Sequence, residues 1–209
     1  MNKRVLNGID VSIHNGKIDW SKVDKNVDFV IIRAGYGRLI TQKDKNFEEY
    51  YSELKKINKP IGLYWYSYAT SVEEAELESK ICLEVIKNKK FEYPIYYDIE
   101  EKKIFDKGKE IVSRIAEKFC SILTENKYLC GIYCSAFFLK NYFNDEIKEK
   151  YPIWVAHYTT NDKPSYDGYY GIWQYSCTGK IDGINGDVDL DYGYVDYKTI
   201  VIENNYNGY

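Results

Sequence analysis

Eight short apolar runs, with amphipathic segments between several of them, constrain the fold of this chain more than any other feature. The runs are GIDVS at 8–12, DFVIIRA at 28–34, KPIGLYWYSY at 59–68, YPIYYDIE at 93–100, YLCGIYC at 128–134, PIWVAHY at 152–158, GIWQY at 171–175 and DVDLDY at 187–192. Their length and their β-branched and aromatic residues read as strands. Between them, Phe47, Tyr50, Tyr51, Leu54 and Ile57 recur at helical spacing, as do Ile111, Ile115, Phe119, Ile122 and Leu123. Ser71 with Glu74 has the spacing of a capping box ahead of a helix running to about Lys87. Strand–helix alternation of this kind builds a parallel sheet, either open or closed into a (β/α)-barrel. The 209 residues fall short of the ~250 of a typical barrel, and the second half leaves little room for full helices. The expectation is an α/β fold: an irregular, TIM-like (β/α)-barrel with several helices missing, over residues 1–195. The tail at 196–209, ending in NNYNGY, is polar enough to fray or to begin a linker.

Charge and cysteine usage narrow the function. A net charge of −3 argues against bulk affinity for nucleic acid, while leaving polysaccharide partners open. The chain carries 23 Tyr; aromatic faces suit sugars, and an AT-rich coding sequence accounts for the number equally well. The five cysteines, an odd count at irregular spacing, form neither a disulfide framework nor a zinc site. The start, MNKRVLNGIDVS, lacks the apolar segment of a signal peptide, and no run approaches a membrane span. Synthesis in a reducing cytoplasm without stable membrane association is the expectation.

Alternate residues of a strand share a face about 6–7 Å apart, so Asp98 and Glu100 project together from the end of their strand while Tyr97 and Ile99 face the other way. Barrel active sites collect at C-terminal strand ends. Two carboxylates held this close do not both ionise easily, which supplies a proton donor beside an anion, the pair that glycoside cleavage needs. A solvated acidic turn, Glu100-Glu101-Lys102-Lys103, is the plainer reading of the same residues. Convergence favours the former: Asp10 ends the first strand, and Asp187, Asp189 and Asp191 alternate on the last, which closure sets beside it. Asp187-x-Asp189-x-Asp191 resembles the start of a calcium loop, but its twelfth position is Lys198 rather than Glu, so no metal is expected. His14 and His157 lack partners at ligand spacing, and neither a phosphate loop nor a Gly-x-Ser-x-Gly elbow occurs. No cofactor is implied. Tyr64, Tyr66, Tyr133, Trp154, Tyr158 and Trp173 are candidates to line a sugar groove, with part of this set serving as ordinary core.

GIDVSIHNGKIDW (8–20), FVIIRAGYG (29–37), PIGLYWYSYA (60–69), YYDIE (96–100), GIYCS (131–135), PIWVAHY (152–158) and WQYSCTGKIDGINGDVDLDY (173–192) together resemble the family 25 glycoside hydrolases, the Chalaropsis-type lysozymes. The resemblance runs from Gly8 to about Tyr194. It implies an N-acetylmuramidase acting on bacterial peptidoglycan, with Glu100 as general acid/base and Asp98 stabilising a substrate whose own N-acetyl group is the nucleophile. Asp10 and Asp189 match the two remaining acidic positions. Two departures stand out: Asp191 where many relatives carry Asn, bearing on the tuning of the acidic cluster, and Trp65 after Tyr64 where many carry His, bearing on one sugar subsite. A non-catalytic wall-binding barrel and a chitinase-like glycosidase are the competing readings. A cytoplasmic enzyme of this family is expected to act on the wall after release, as a phage endolysin or a bacterial autolysin.

Overall fold

The computed structural model describes residues 4–23, 25 and 27–209; Met1–Lys3, at the start of the expected barrel, lie outside the described residues. Eight strands close into one barrel in sequence order. The first half is regular: β1 (Leu6–Val11), α1 (Trp20–Val23), β2 (Phe29–Tyr36), α2 (Phe47–Lys56), β3 (Ile61–Tyr66), α3 (Val72–Ile86), β4 (Ile95–Asp98), α4 (Lys102–Phe105), α5 (Lys109–Glu125) and β5 (Cys130–Ser135). The second half thins out, with short helices α6 (Ala136–Tyr142) and α7 (Asp145–Lys150), then β6 (Ile153–Ala156), β7 (Ile172–Gly179), β8 (Val188–Gly193) and a terminal α8 (Tyr197–Glu203). No helix separates β6 from β7 or β7 from β8, so the barrel with missing helices is the one observed.

The sheet is not wholly parallel. β1 to β7 pair in parallel, whereas β8 runs antiparallel to both β7 and β1. The connection from Gly179 to Val188 is too short for a parallel crossover, which takes a dozen or more residues. The reversal matters for the site. It sets the start of β8 at the barrel mouth and places Asp191 deeper than Asp189, opposite to the order a parallel strand would give.

Strand alternation sorts the apolar residues into two cores. Inside the barrel, Phe29, Ile31, Tyr96, Tyr133, Trp154 and Ile172 pack together. Room for these large rings comes from small residues on the facing strands: a Cβ at Gly8 would stand 2.2 Å from the Phe29 ring, and one at Gly131 2.6 Å from the Tyr96 ring. Outside, helix stripes cover the other strand face, as where Phe119 of α5 stacks on Tyr97 at 3.9 Å between centroids. Ser71 Oγ accepts the Glu74 N–H at 3.3 Å, capping α3, while the Glu74 carboxylate accepts from the Thr70 N–H at 2.7 Å instead of closing the box.

The tail does not fray. Residues 197–203 are helical, and Asn207 is fully buried, its Nδ2 donating to the Tyr93 carbonyl and its Oδ1 accepting the Leu129 N–H, both at 2.8 Å. Those bonds satisfy backbone groups entering β4 and β5, a role that polar composition alone conceals.

Candidate active site

The inward-facing residues at the C-terminal ends of the strands enclose a cleft of about 460 Å³. Asp98, the last residue of β4, lies between Tyr66 of β3 and Tyr133 of β5 in the strand register. It is 3% exposed, and its Oδ1 is buried without a hydrogen-bond partner. Glu100, two residues on, lines the same cleft but is exposed at the mouth. Asp10 of β1 sits directly opposite Asp189 of β8, and both reach the cleft. The four acidic residues expected from the sequence thus meet in one place. Asp187 joins them at the rim, paired with Lys180 at 2.7 Å.

This crowd of carboxylates governs their ionisation. Burial pushes the Asp98 carboxyl well up, repulsion from Glu100 adds to it, and the Arg33 guanidinium opposes it. Glu100 is also raised, first by desolvation within the cleft walls; a hydrogen bond from Tyr133 works against this, while the Asp189 and Glu101 charges add to it. Asp98 and Glu100 therefore titrate as a pair that retains a proton above the usual carboxylate range. Asp189 is pushed up to about 6 by desolvation. Deeper in the barrel, burial pushes both Asp10 and Asp191 well up; the Asp191, Asp189 and Asp98 charges add to the rise of Asp10 against a hydrogen bond from Gln174, and the Asp189 charge adds to that of Asp191 against hydrogen bonds with Trp154 and Asp10. Asp191 is 1% exposed, and its Oδ1 accepts the Trp154 indole N–H at 2.8 Å.

Of the six expected groove aromatics, five line the cleft: Tyr64, Tyr66, Tyr133, Trp154 and Tyr158. The rings of Tyr133 and Trp154 lie 4.4 Å apart, and Tyr64 meets Trp154 edge-on at 6.2 Å. Trp173 does not join them. It falls on the outer face of β7, with its indole N–H on the His157 carbonyl at 2.9 Å and its ring among Tyr175 and Tyr192. The inward residue is the next one, Gln174. Likewise Trp65 points outward, fully buried, and donates to the Gly37 carbonyl at 3.1 Å, so it does not line the cleft.

The cleft is also lined by Ser12, Asn15, Arg33 and Gln174, none of them singled out from the sequence. Gln174 accepts the hydroxyls of Tyr133 and Tyr158, each at 2.8 Å, and donates its amide N–H to Asp10 at 2.7 Å. Its signal was available, because strand alternation from Trp173 predicts an inward polar side chain. Arg33 sits where the β2–β3 register slips, a bulge that re-aims side chains. Its Nε donates to the buried Asp44 carboxylate at 2.7 Å. Among the described residues, no group of three His, Cys, Asp or Glu is placed to hold a metal ion, and no helix is long and apolar enough to cross a membrane.

Comparison with known proteins bears directly on this cleft. Residues 9–184 match the model of glycosyl hydrolases family 25. The Escherichia coli K12 protein YegX is 31% identical over 201 residues, covering 89% of this chain and 68% of its own. The autolytic lysozyme of Clostridium acetobutylicum is 27% identical over 187 residues, covering 89% of this chain and 55% of its own. The modular autolysin LytC of Streptococcus pneumoniae, solved in complex with a synthetic peptidoglycan ligand, superposes with a TM-score of 0.79 at 31% identity, over 91% of this chain. This chain spans 47% of that one.

Proposed function

The chain belongs to the family 25 glycosyl hydrolases, and from that premise we propose that it is a lysozyme: an N-acetylmuramidase hydrolysing the β-1,4 bond between N-acetylmuramic acid and N-acetylglucosamine in bacterial peptidoglycan. The observation that carries the reading is the unlike pair at the end of β4. Asp98 is sealed in the barrel with an unpartnered oxygen, and Glu100 stands two residues away in reach of solvent and substrate. An autolytic lysozyme and a peptidoglycan-bound autolysin among the relatives support the choice of substrate.

In this reading Glu100 holds the pair's proton when the glycan arrives and delivers it to the glycosidic oxygen as the bond to the anomeric carbon breaks. Asp98, then ionised, takes the N–H of the muramic N-acetyl group on its unpartnered Oδ1. That bond turns the acetyl oxygen toward the anomeric carbon, where it forms a cyclic intermediate. Water, deprotonated by Glu100, opens the ring with overall retention. Gln174 and the Asp10–Asp191 couple hold the floor beneath the reacting sugar. Tyr64, Tyr66 and Tyr158 offer ring faces and hydroxyls to it.

Walls digested with the protein, reduced with borohydride and hydrolysed should yield muramicitol. Glucosaminitol would instead make it a glucosaminidase. Dissolution without either alditol would mean cleavage of peptide or amide bonds. Binding without dissolution would identify a wall-binding barrel, and turnover of chitin oligomers in preference to walls would favour the chitinase-like reading.

A further inference from the structure

Beside the acidic cleft lies a second chamber of about 570 Å³ that shares His14, Arg33 and Tyr66 with it, so the two are continuous. Their linings carry opposite charge. The cleft presents five carboxylates against the single cation Arg33, whereas the side chamber presents Arg33, Lys43 and Lys45 against the single carboxylate Asp44. Asp44 is itself turned away from the space. It is 3% exposed, and its oxygens accept from the Arg33 Nε at 2.7 Å, the Ile13 N–H at 3.1 Å and the Asn46 N–H at 2.9 Å. Lys43 pairs with Glu48 at 2.5 Å on its outer side, and Lys45 is exposed. Aromatic rings wall the space: Tyr68 meets Tyr66 at 5.2 Å and Tyr36 at 6.1 Å. An apolar-walled, cationic recess opening off a strongly anionic cleft is a selective arrangement for a substrate whose branches are charged and whose backbone is not.

We propose that this side chamber is a subsite for the carboxylate-bearing peptide stem of the muramic acid residue, an inference that rests on the muramidase reading above. The glycan backbone is uncharged, and the anionic groups of the repeating unit hang from the lactyl ether of muramic acid. The carboxylates of the cleft repel that arm. The neighbouring recess of opposite sign attracts it, and its tyrosine faces suit the alanyl methyl groups of a stem. The chamber thus discriminates stem-bearing glycan from glycan whose muramic acid carries its lactyl carboxylate alone, a selection that the reacting carboxylates cannot make.

The test compares soluble glycan strands bearing stems with the same strands freed of stems by an amidase, which leaves the lactyl carboxylate on each muramic acid and removes only the stem's own carboxylates and methyl groups. Wild-type protein should favour the stem-bearing strands by about three- to tenfold in kcat/KM, the scale of two partly exposed ion contacts. The preference should lie in KM and shrink as salt is raised. The double variant Lys43→Gln/Lys45→Gln should bring the ratio close to one, and Lys45→Glu alone should lower it. Equal turnover of both strands by wild type, or a ratio that survives in the double variant, overturns the proposal. So does a preference for stem-free strands carrying a phosphate polymer, which would assign the chamber to that anion instead. Titrating both strands into Glu100→Gln protein separates this proposal from the one beneath it. If wild-type protein cuts neither strand, the muramidase reading fails. A binding preference lost on removing the two lysines still supports the subsite, and equal binding of both strands overturns it.

Discussion

The barrel holds two carboxylate couples whose surroundings differ. Asp98 and Glu100 sit on one strand end, one sealed and one open, with a buried oxygen of Asp98 left unpartnered. Asp10 and Asp191 sit on adjacent antiparallel strands, both buried, each with a fixed neutral donor: the Gln174 amide on Asp10 and the Trp154 indole on Asp191. Burial and repulsion raise the pKa values of both couples, so perturbation alone does not say which one does chemistry. Access does. A group that must give and take a proton at the substrate needs an open side, which Glu100 gives the mouth couple. Asp191 Oδ2 is buried without a partner as well, but both acids of the deep couple are closed off from solvent, and that couple is better suited to holding a floor.

The largest test of that contrast is Glu100→Gln. An amide cannot supply the proton, and loss of a general acid typically costs about 10²–10⁴-fold in rate. Because Glu100 is exposed, thermal unfolding should move little. Turbidity loss of a wall suspension, read beside a melting curve, checks both halves of the expectation. Near-wild-type lysis would remove Glu100 from the chemistry.

Asp98→Asn should slow the reaction and shift its pH profile. Activity requires protonated Glu100, so it falls as pH rises through the pair's upper titration. A raised pKa carries the alkaline limb upward. Removing the Asp98 charge removes one of the forces holding the proton on, and the limb should move to lower pH. The remaining elevation would come from burial and from the Asp189 and Glu101 charges. A limb that stays in place would show that those alone set it.

For the deep couple the expected effects are smaller and depend on the substituent. Asp191→Ala strands the Trp154 indole N–H in a buried site, at a cost of about 1–3 kcal/mol in stability. Asp191→Asn keeps that acceptor and offers an N–H to Asp10, imitating the protonated acid, so it should remain close to wild type in Tm and in kcat. Chemical denaturation and initial rates for the pair of variants decide it. An Asn variant as damaged as the Ala one would mean that Asp191 acts through its charge.

The same two couples show what the sequence makes legible. Asp98 and Glu100 follow from period-two alternation at one strand end, a local rule, and the structure places them as that rule expects. The relation of Asp10 to Asp191 depends on β8 reversing direction, which is a matter of connection length and closure between distant segments. A parallel β8 would have put Asp191 at the mouth. Trp173 against Gln174 is a one-residue error of facing in β7, where tryptophan's affinity for sugars outweighed the pleat. The tail was read from composition, and the burial of Asn207 answers to backbone groups of β4 and β5 that composition does not report. Arg33 needed the bulge in β2, and a register slip leaves little trace in a run of apolar residues.

The finest test lies where the two couples meet, at Gln174. Its Oε1 accepts two phenol protons, from Tyr133 and from Tyr158, each at 2.8 Å, while Tyr133 is also within reach of Glu100, whose pKa its hydrogen bond lowers. A phenol has one proton to donate. When Tyr133 gives it to Glu100, Tyr158 keeps the Gln174 oxygen satisfied; without Tyr158, that oxygen competes for the Tyr133 proton. Tyr158→Phe should therefore weaken the bond that stabilises ionised Glu100 and raise its pKa. The alkaline limb should move to higher pH by less than about one unit, worth under about 1.4 kcal/mol, opposite in sign to the shift of Asp98→Asn. The ring remains in the variant, so stacking against sugar is largely kept and KM should change little. A pH–rate profile measured on both variants under one set of conditions gives the two signs directly. If Tyr158→Phe changes KM and leaves the limb where it was, Tyr158 serves substrate alone, and the two couples titrate independently of the bridge between them.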